Sequence, residues 1–280
     1  MAPAPPQIGK ARTLSQREAE LLSWLEVERP KSVSLAEISS ALDWPRTRTY
    51  SVTSRLVKKG WLYRTRAGHY EPLLADSAGI SVPDPWVALT SWNAPYYVAL
   101  ASAAHEHNFI ADRPGAVQVC VPVGTTAPLG WREQAIALVP RRAFELDGSE
   151  FAEGHGVSVR LAGTERVLLD SATMPGRVGG VFGLARIVDR GSEHANWARF
   201  AELATKGKRG TAAARRIAAL LEILGRDVPP ALSELAGTRR GAPPIHLGST
   251  RVHGRRGETL SRWQVQVNVS PEALREEIRR

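Results

Sequence analysis

Between Leu14 and Tyr70 the chain writes out helix, helix, helix, hairpin in capping and turn signals, and this order constrains its fold more than any other feature. Ser15 and Glu18 have the spacing of a capping box, with Leu14 placed as a staple, so a helix starts there and Pro30 ends it. Leu21, Leu22 and Leu25 give that helix its apolar face. Ser34 and Glu37 form a second capping box, followed by Leu35, Ile38 and Leu42 at helical spacing. Pro45 suits the first turn of a third helix over about 46–59, and Gly60 suits its C-terminal cap. Val52, Leu56 and Tyr50 are its expected core residues. The run WLYRTRAGHY then alternates, turns at Arg66-Ala67-Gly68 and returns. Three capped helices and a hairpin in about sixty residues predict a winged helix-turn-helix over 13–75.

Charge gives that region a partner. Residues 44–70 hold seven Lys or Arg and no Asp or Glu, against a formal net charge of +9 for all 280 residues. Such a concentration on a helix and its hairpin is the electrostatic footprint of a duplex-binding surface. The N-terminal part of the third helix enters the major groove in this architecture. Arg46, Thr47, Arg48, Thr49 and Ser51 are therefore expected near base edges, where Arg can hold guanine by two hydrogen bonds and a Thr methyl can meet thymine. Arg55, Lys58 and Lys59 suit phosphates, and Arg64 and Arg66 flank the wing tip.

The rest predicts a second, larger domain of mixed helices and strands over 86–280, after a tail at 1–12 and a polar linker at 76–85. AVQVCVPV is a strong buried strand; IALVP, FELDG, VSVRLAG and WQVQVNV are further strands. GTERVLLDSAT starts a helix with Thr164 as cap. NWARFAELATKG and GTAAARRIAALLEILG are helices, and residues 237–262 read as a loop. With no regular strand–helix alternation, the class is α+β. Lys206, Lys208, Arg209, Arg215 and Arg216 form a second basic group opening a helix near Thr211. A phosphate-contact surface, a docking surface for an acidic partner and a solvated helix face all remain open for it. Arg239, Arg240, Arg251, Arg255 and Arg256 form a third group.

Catalytic signals are weak. Cys120 is the sole cysteine and sits in an apolar run, which predicts a small buried side chain in a reducing cytoplasm. His105 and His107 lie two apart, which on a helix points them about 200° away from each other. Glu165 and Asp170 are five apart, off the spacing that aligns side chains, and Asp170 reads as structural. No nucleophile elbow, phosphate loop or dinucleotide fingerprint is present. The expectation is a non-enzyme with no catalytic residue, metal or cofactor, and no membrane span.

Four segments in order carry a family likeness: GWLYRTRAGHY, PYYVALASAAHEHNF, TERVLLDSATMPGRVGG and KGKRGTAAARRIAALLEILG. Together they resemble the AbiEi family, the antitoxins of type IV toxin–antitoxin pairs. The matching positions are Ala101, Ser102 and Ala103; Glu165, Arg166, Leu168, Leu169 and Asp170 with Gly179 and Gly180; and Arg215, Arg216, Leu220, Leu221 and Glu222. Ala99 and Asn108 stand where the family tends to have Gly. The resemblance implies a repressor of its own operon that binds inverted repeats in promoter DNA. It also implies a companion nucleotidyltransferase-type toxin, counteracted functionally or by direct contact. A ligand-responsive winged-helix transcription factor, or a DNA-targeted nuclease or nucleotidyltransferase, are the alternatives the residues leave open.

Overall fold

The computed structural model describes residues 14–73, 84–90, 92–126, 136–155, 157–237 and 243–279. The expected tail at 1–12, residues 76–83 of the expected linker, and Arg239 and Arg240 lie outside the described residues. The chain divides into two compact units, with residues up to Trp92 in the first and most of the remainder in the second.

In the first unit, α1 spans Gln16–Glu28, β1 Val33–Ser34, α2 Leu35–Ala41 and α3 Arg46–Lys58. The wing follows as β2 (Leu62–Arg66) and β3 (His69–Pro72), and α4 covers Pro85–Thr90. Both capping boxes form with all their bonds: Ser15 with Glu18, and Ser34 with Glu37. Each satisfies two backbone donors that a helix start leaves open, which is why these short helices begin where they do. Pro45 occupies the cap position rather than the first turn, and Gly60 takes φ 69 just after α3. The three-stranded sheet has the order β1-β3-β2, so the helical part is closed onto the wing by the short β1. Leu21, Leu25, Ile38 and Leu56 are fully buried, with Val33, Val52, Leu62 and Tyr70 around them. Each such side chain contributes about 1.5–3 kcal/mol by leaving water.

Glu71 of β3 is buried beside this sheet and accepts the Asp84 N–H at 2.9 Å. Burial, with the Asp84 charge adding to it, pushes its carboxyl up to about 7. The folded state thus holds a proton that the unfolded chain releases near pH 4.5. The resulting stabilisation is complete below pH 4.5 and is lost as pH rises through 7. Urea midpoints of the first unit are expected to fall between pH 5 and pH 8, and Glu71→Gln should remove that slope.

In the second unit, β4 is Tyr97–Val98, α5 Leu100–Glu106, β5 Val117–Pro122, β6 Ile136–Arg141, β7 Ser149–Gly154 and β8 Val157–Ala162. They form a five-stranded mixed sheet of order β6-β5-β4-β8-β7. FELDG is not the strand expected: residues 144–148 are turn and loop, and the strand is the following SEFAEG, whose two Glu hide the apolar alternation. After the sheet come α6 (Thr164–Thr173), α7 (Gly180–Gly191), α8 (Trp197–Thr205), α9 (Gly210–Ile223), α10 (Pro230–Ala236) and, later, α12 (Pro271–Arg279). Thr164 is not the cap of α6; Gly163 holds that position with no side-chain bond. The stretch expected as loop contains β9 (Ile245–His246), α11 (Thr250–His253) and β10 (Glu258–Leu260), and β9 and β10 flank β11 (Val265–Val267) in a small sheet. Asn108, where the resembling family has Gly, takes φ 60, a left-handed conformation that Asn tolerates better than most side chains.

Polar contacts fix α6 on the large sheet. Asp170 is 0% exposed, accepts the Tyr97 hydroxyl at 2.9 Å and lies 3.2 Å from Arg141 Nη2. Burial pushes its carboxyl up, while Arg141 and Arg166 pull it down. Cys120 is buried, and that burial drives its thiol up to about 12, so it is an inert core residue at neutral pH.

Candidate nucleic-acid interface

The exposed face of α3 is built by what lies under it. Val52 and Leu56 point into the core, so Arg46, Thr47, Arg48, Ser51, Arg55 and Lys58 come to the surface at the complementary helical positions. Among the described residues, Arg46, Arg48, Lys58 and Arg64 pair with no carboxylate. The first turn of α3 therefore presents two free guanidinium groups around a Thr hydroxyl.

Three expectations for this helix need correction. Thr49 is buried, and its hydroxyl donates to Pro45 O at 3.2 Å, so it serves the helix start and not a base edge. Tyr50 is not a core residue; it is 53% exposed, one turn from Arg46 on the outward face. Tyr50 lies two positions from Val52, and on a helix residues two apart face different ways, so it cannot share the buried side with Val52. Lys59 is not an unengaged phosphate ligand: its Nζ donates to Glu18 Oε2 at 2.7 Å.

Glu18 decides how the positive charge of α3 is distributed. Its carboxylate is 1% exposed and reaches Lys59 at 2.7 Å, Arg55 Nε at 3.2 Å and the Ser15 N–H at 2.7 Å. The Lys59 contact, then the Ser15 N–H, hold its carboxyl down to about 2. Arg55 also donates to Ser51 Oγ at 2.8 Å. The C-terminal end of α3 is thereby anchored to α1, while its N-terminal end keeps its cations for an outside ligand. In the wing, Arg64 is exposed and Arg66 is half-buried with Nη2 at 2.7 Å from His69 Nε2. That arginine and burial lower the His69 pKa, burial most, which keeps the ring neutral and accepting.

The second basic group does not form one surface. Arg215 is 7% exposed and donates to the carbonyls of Trp263, Pro243 and Gln264, tying α9 to the small sheet. Arg216 donates to Ala172 O at 3.1 Å and His246 O at 3.4 Å. Burial lowers the pKa of both. Lys206 bonds Asp147 at 2.6 Å, and only Lys208 and Arg209 stand exposed and unpaired among the described residues. Sequence spacing could not show this, because the carbonyls that take these arginines are contributed from more than twenty residues away.

His107 Nε2 lies 2.7 Å from Ala162 O, a core contact rather than a ligand position. Among the described residues no cluster of three or more His, Cys, Asp or Glu could hold a metal, and no helix is long and apolar enough to cross a membrane.

Cations at base edges and cations at phosphates should behave differently on DNA. Arg48→Ala is expected to cost about 1–3 kcal/mol on a preferred sequence and much less on random duplex. Lys58→Ala should weaken both alike and reduce the salt slope by about one phosphate. Anisotropy titrations on the two duplexes at several salt concentrations separate these outcomes.

Comparison with known proteins agrees with this division. Residues 16–66 match the IclR helix-turn-helix domain, and residues 96–223 match the AbiEi antitoxin C-terminal domain. The RV2827C protein from Mycobacterium tuberculosis, a solved crystal structure, is similar with a TM-score of 0.67 at 20% identity, covering 91% of this chain and 92% of that one. At that identity the likeness concerns the fold. No curated protein matches the sequence.

Proposed function

We infer, from the match of residues 96–223 to the AbiEi antitoxin C-terminal domain and of residues 16–66 to the IclR helix-turn-helix domain, that this chain represses its own operon and counteracts a nucleotidyltransferase-type toxin. The two matches together support a DNA-binding antitoxin or regulator. The repressor reading rests on one observation: α3 offers Arg46, Thr47, Arg48 and Ser51 outward, with both arginines outside the reach of any described carboxylate. Arg46 and Arg48 hold base edges, Lys58 and Arg64 hold phosphates, and the Glu18 anchor keeps α3 at a fixed angle to α1. Paired operator half-sites, as inverted repeats, would each take one winged helix.

The test has two arms. The full chain is titrated onto its own upstream region and onto scrambled DNA of the same length, between 50 and 200 mM salt. Sequence-selective binding whose affinity falls about 10³-fold or more over this range fits six or more phosphate contacts. Equal binding to both duplexes would remove the repressor reading. In the second arm the companion nucleotidyltransferase is co-expressed with the full chain or with an Arg46→Ala/Arg48→Ala variant. Growth rescue by both places the antitoxic task outside α3; loss of rescue by both sinks the antitoxin reading.

A further inference from the structure

Strand β7 is an edge of the five-stranded sheet, and among the described residues its two glutamates are what guards it against pairing with a second copy. It contains no Pro and no Lys, and its six pairs with β8 run from Ser149↔Ala162 to Gly154↔Val157 without a shift. Two residues join Gly154 to Val157, so that pair, Ala152↔Val159 and Glu150↔Leu161 exchange the ladder bonds. The N–H and C=O of Ser149, Phe151 and Glu153 then point off the sheet. Those of Ser149 are taken: its N–H donates to Leu146 O at 3.0 Å and its C=O accepts from Arg160 Nη1 at 3.0 Å. Among the described residues no bond takes the outward groups of Phe151 and Glu153. Two donors and two acceptors remain open, at the spacing one added strand would use.

The side chains agree with the backbone. Phe151 is 64% exposed, and the Arg160 guanidinium, 4.6 Å from its ring centroid, holds the ring against the hairpin. Charge then selects the occupant. Residues 143–159 contain Glu145, Asp147, Glu150 and Glu153 and no Lys or Arg, in a chain of net charge +9. Asp147 is bonded by Lys206 and Arg199, but Glu145, Glu150 and Glu153 are exposed and outside every described ion pair. Nucleic acid is repelled here, and a second copy of β7 would bring its own two glutamates to within strand spacing of these.

We propose that the β7 edge docks an extended basic segment of another protein by strand addition. The segment forms up to four backbone bonds with Phe151 and Glu153, sets an apolar side chain on the Phe151 ring and places Lys or Arg beside Glu150 and Glu153. This surface is independent of α3 and of the DNA reading.

The experiment uses the full chain and a fluorescein-labelled, acetylated octapeptide Thr-Lys-Lys-Val-Lys-Lys-Thr-Thr, which sets Lys on both sides of Val on one face, as Phe151 and Glu153 require, and Lys on the other face for Glu150. Its control carries N-methyl groups on alternate residues, which keep the charge and delete the strand-facing donors. The parent peptide should bind at least tenfold tighter than the control, and hydrogen exchange at the Phe151 and Glu153 amides should slow on binding. Glu150→Gln/Glu153→Gln should weaken the parent at least fivefold with the fold intact by circular dichroism. Equal affinity for the two peptides, or unchanged exchange at both amides, would mean charge attraction alone and overturn the proposal. So would a sedimenting dimer in which these amides are already protected without peptide, since the edge would then belong to a second copy.

Discussion

Asp170→Ala should lower the stability of the second unit by about 3–5 kcal/mol, the usual cost of leaving a buried partner charge uncompensated. The carboxylate is fully buried, and its removal strands the Tyr97 hydroxyl and takes the counter-charge from Arg141. Asp170→Asn keeps an oxygen for Tyr97 and should cost less, about 1–3 kcal/mol. Urea unfolding of the full chain, followed by circular dichroism, measures both. A loss below about 1 kcal/mol for the alanine variant would mean that Asp170 does not hold α6 on the sheet.

Glu18→Ala should have the next largest effect, in the other unit. It deletes one arm of the α1 capping box and the counter-charge of Arg55 and Lys59 together. A carboxyl held down to about 2 from 4.5 corresponds to about 3 kcal/mol at neutral pH. Arg55 and Lys59 are partly open to water, which screens them, so about 2 kcal/mol is the expected loss. The sign follows from the lowered pKa: the contribution is complete above pH 4.5 and disappears as pH falls from 4.5 towards 2. DNA affinity has a separate signature. Freeing Arg55 and Lys59 adds two cations to the α3 surface, so nonspecific binding should strengthen at low salt while thermal stability falls. Weaker nonspecific binding by a folded Glu18→Ala variant would show that the anchor positions α3 and does not withhold charge.

The first unit was legible because its signals are local. Ser15 with Glu18, and Ser34 with Glu37, satisfy backbone donors three residues away, so the pattern and the bonds it makes coincide. The acid-free run 44–70 likewise depends only on residue identity. The family likeness could be read for a similar reason, since the order of its segments survives along the chain. Residue type alone misplaces an aromatic on the outward face of a helix, as with Tyr50, and hides a strand that carries charge on its open side, as with SEFAEG.

Sequence by itself determined the two-part architecture, the capped helices of the winged helix and the concentration of cations on α3. Only tertiary structure decided which cations are free. Glu18, 37 residues before Arg55 and 41 before Lys59, claims both. Backbone carbonyls from 28 to 49 residues away claim Arg215. Lys206 goes to Asp147, 59 residues back. A cation's availability depends on its distance to a carboxylate or carbonyl in space, and that distance exists only once the chain has folded.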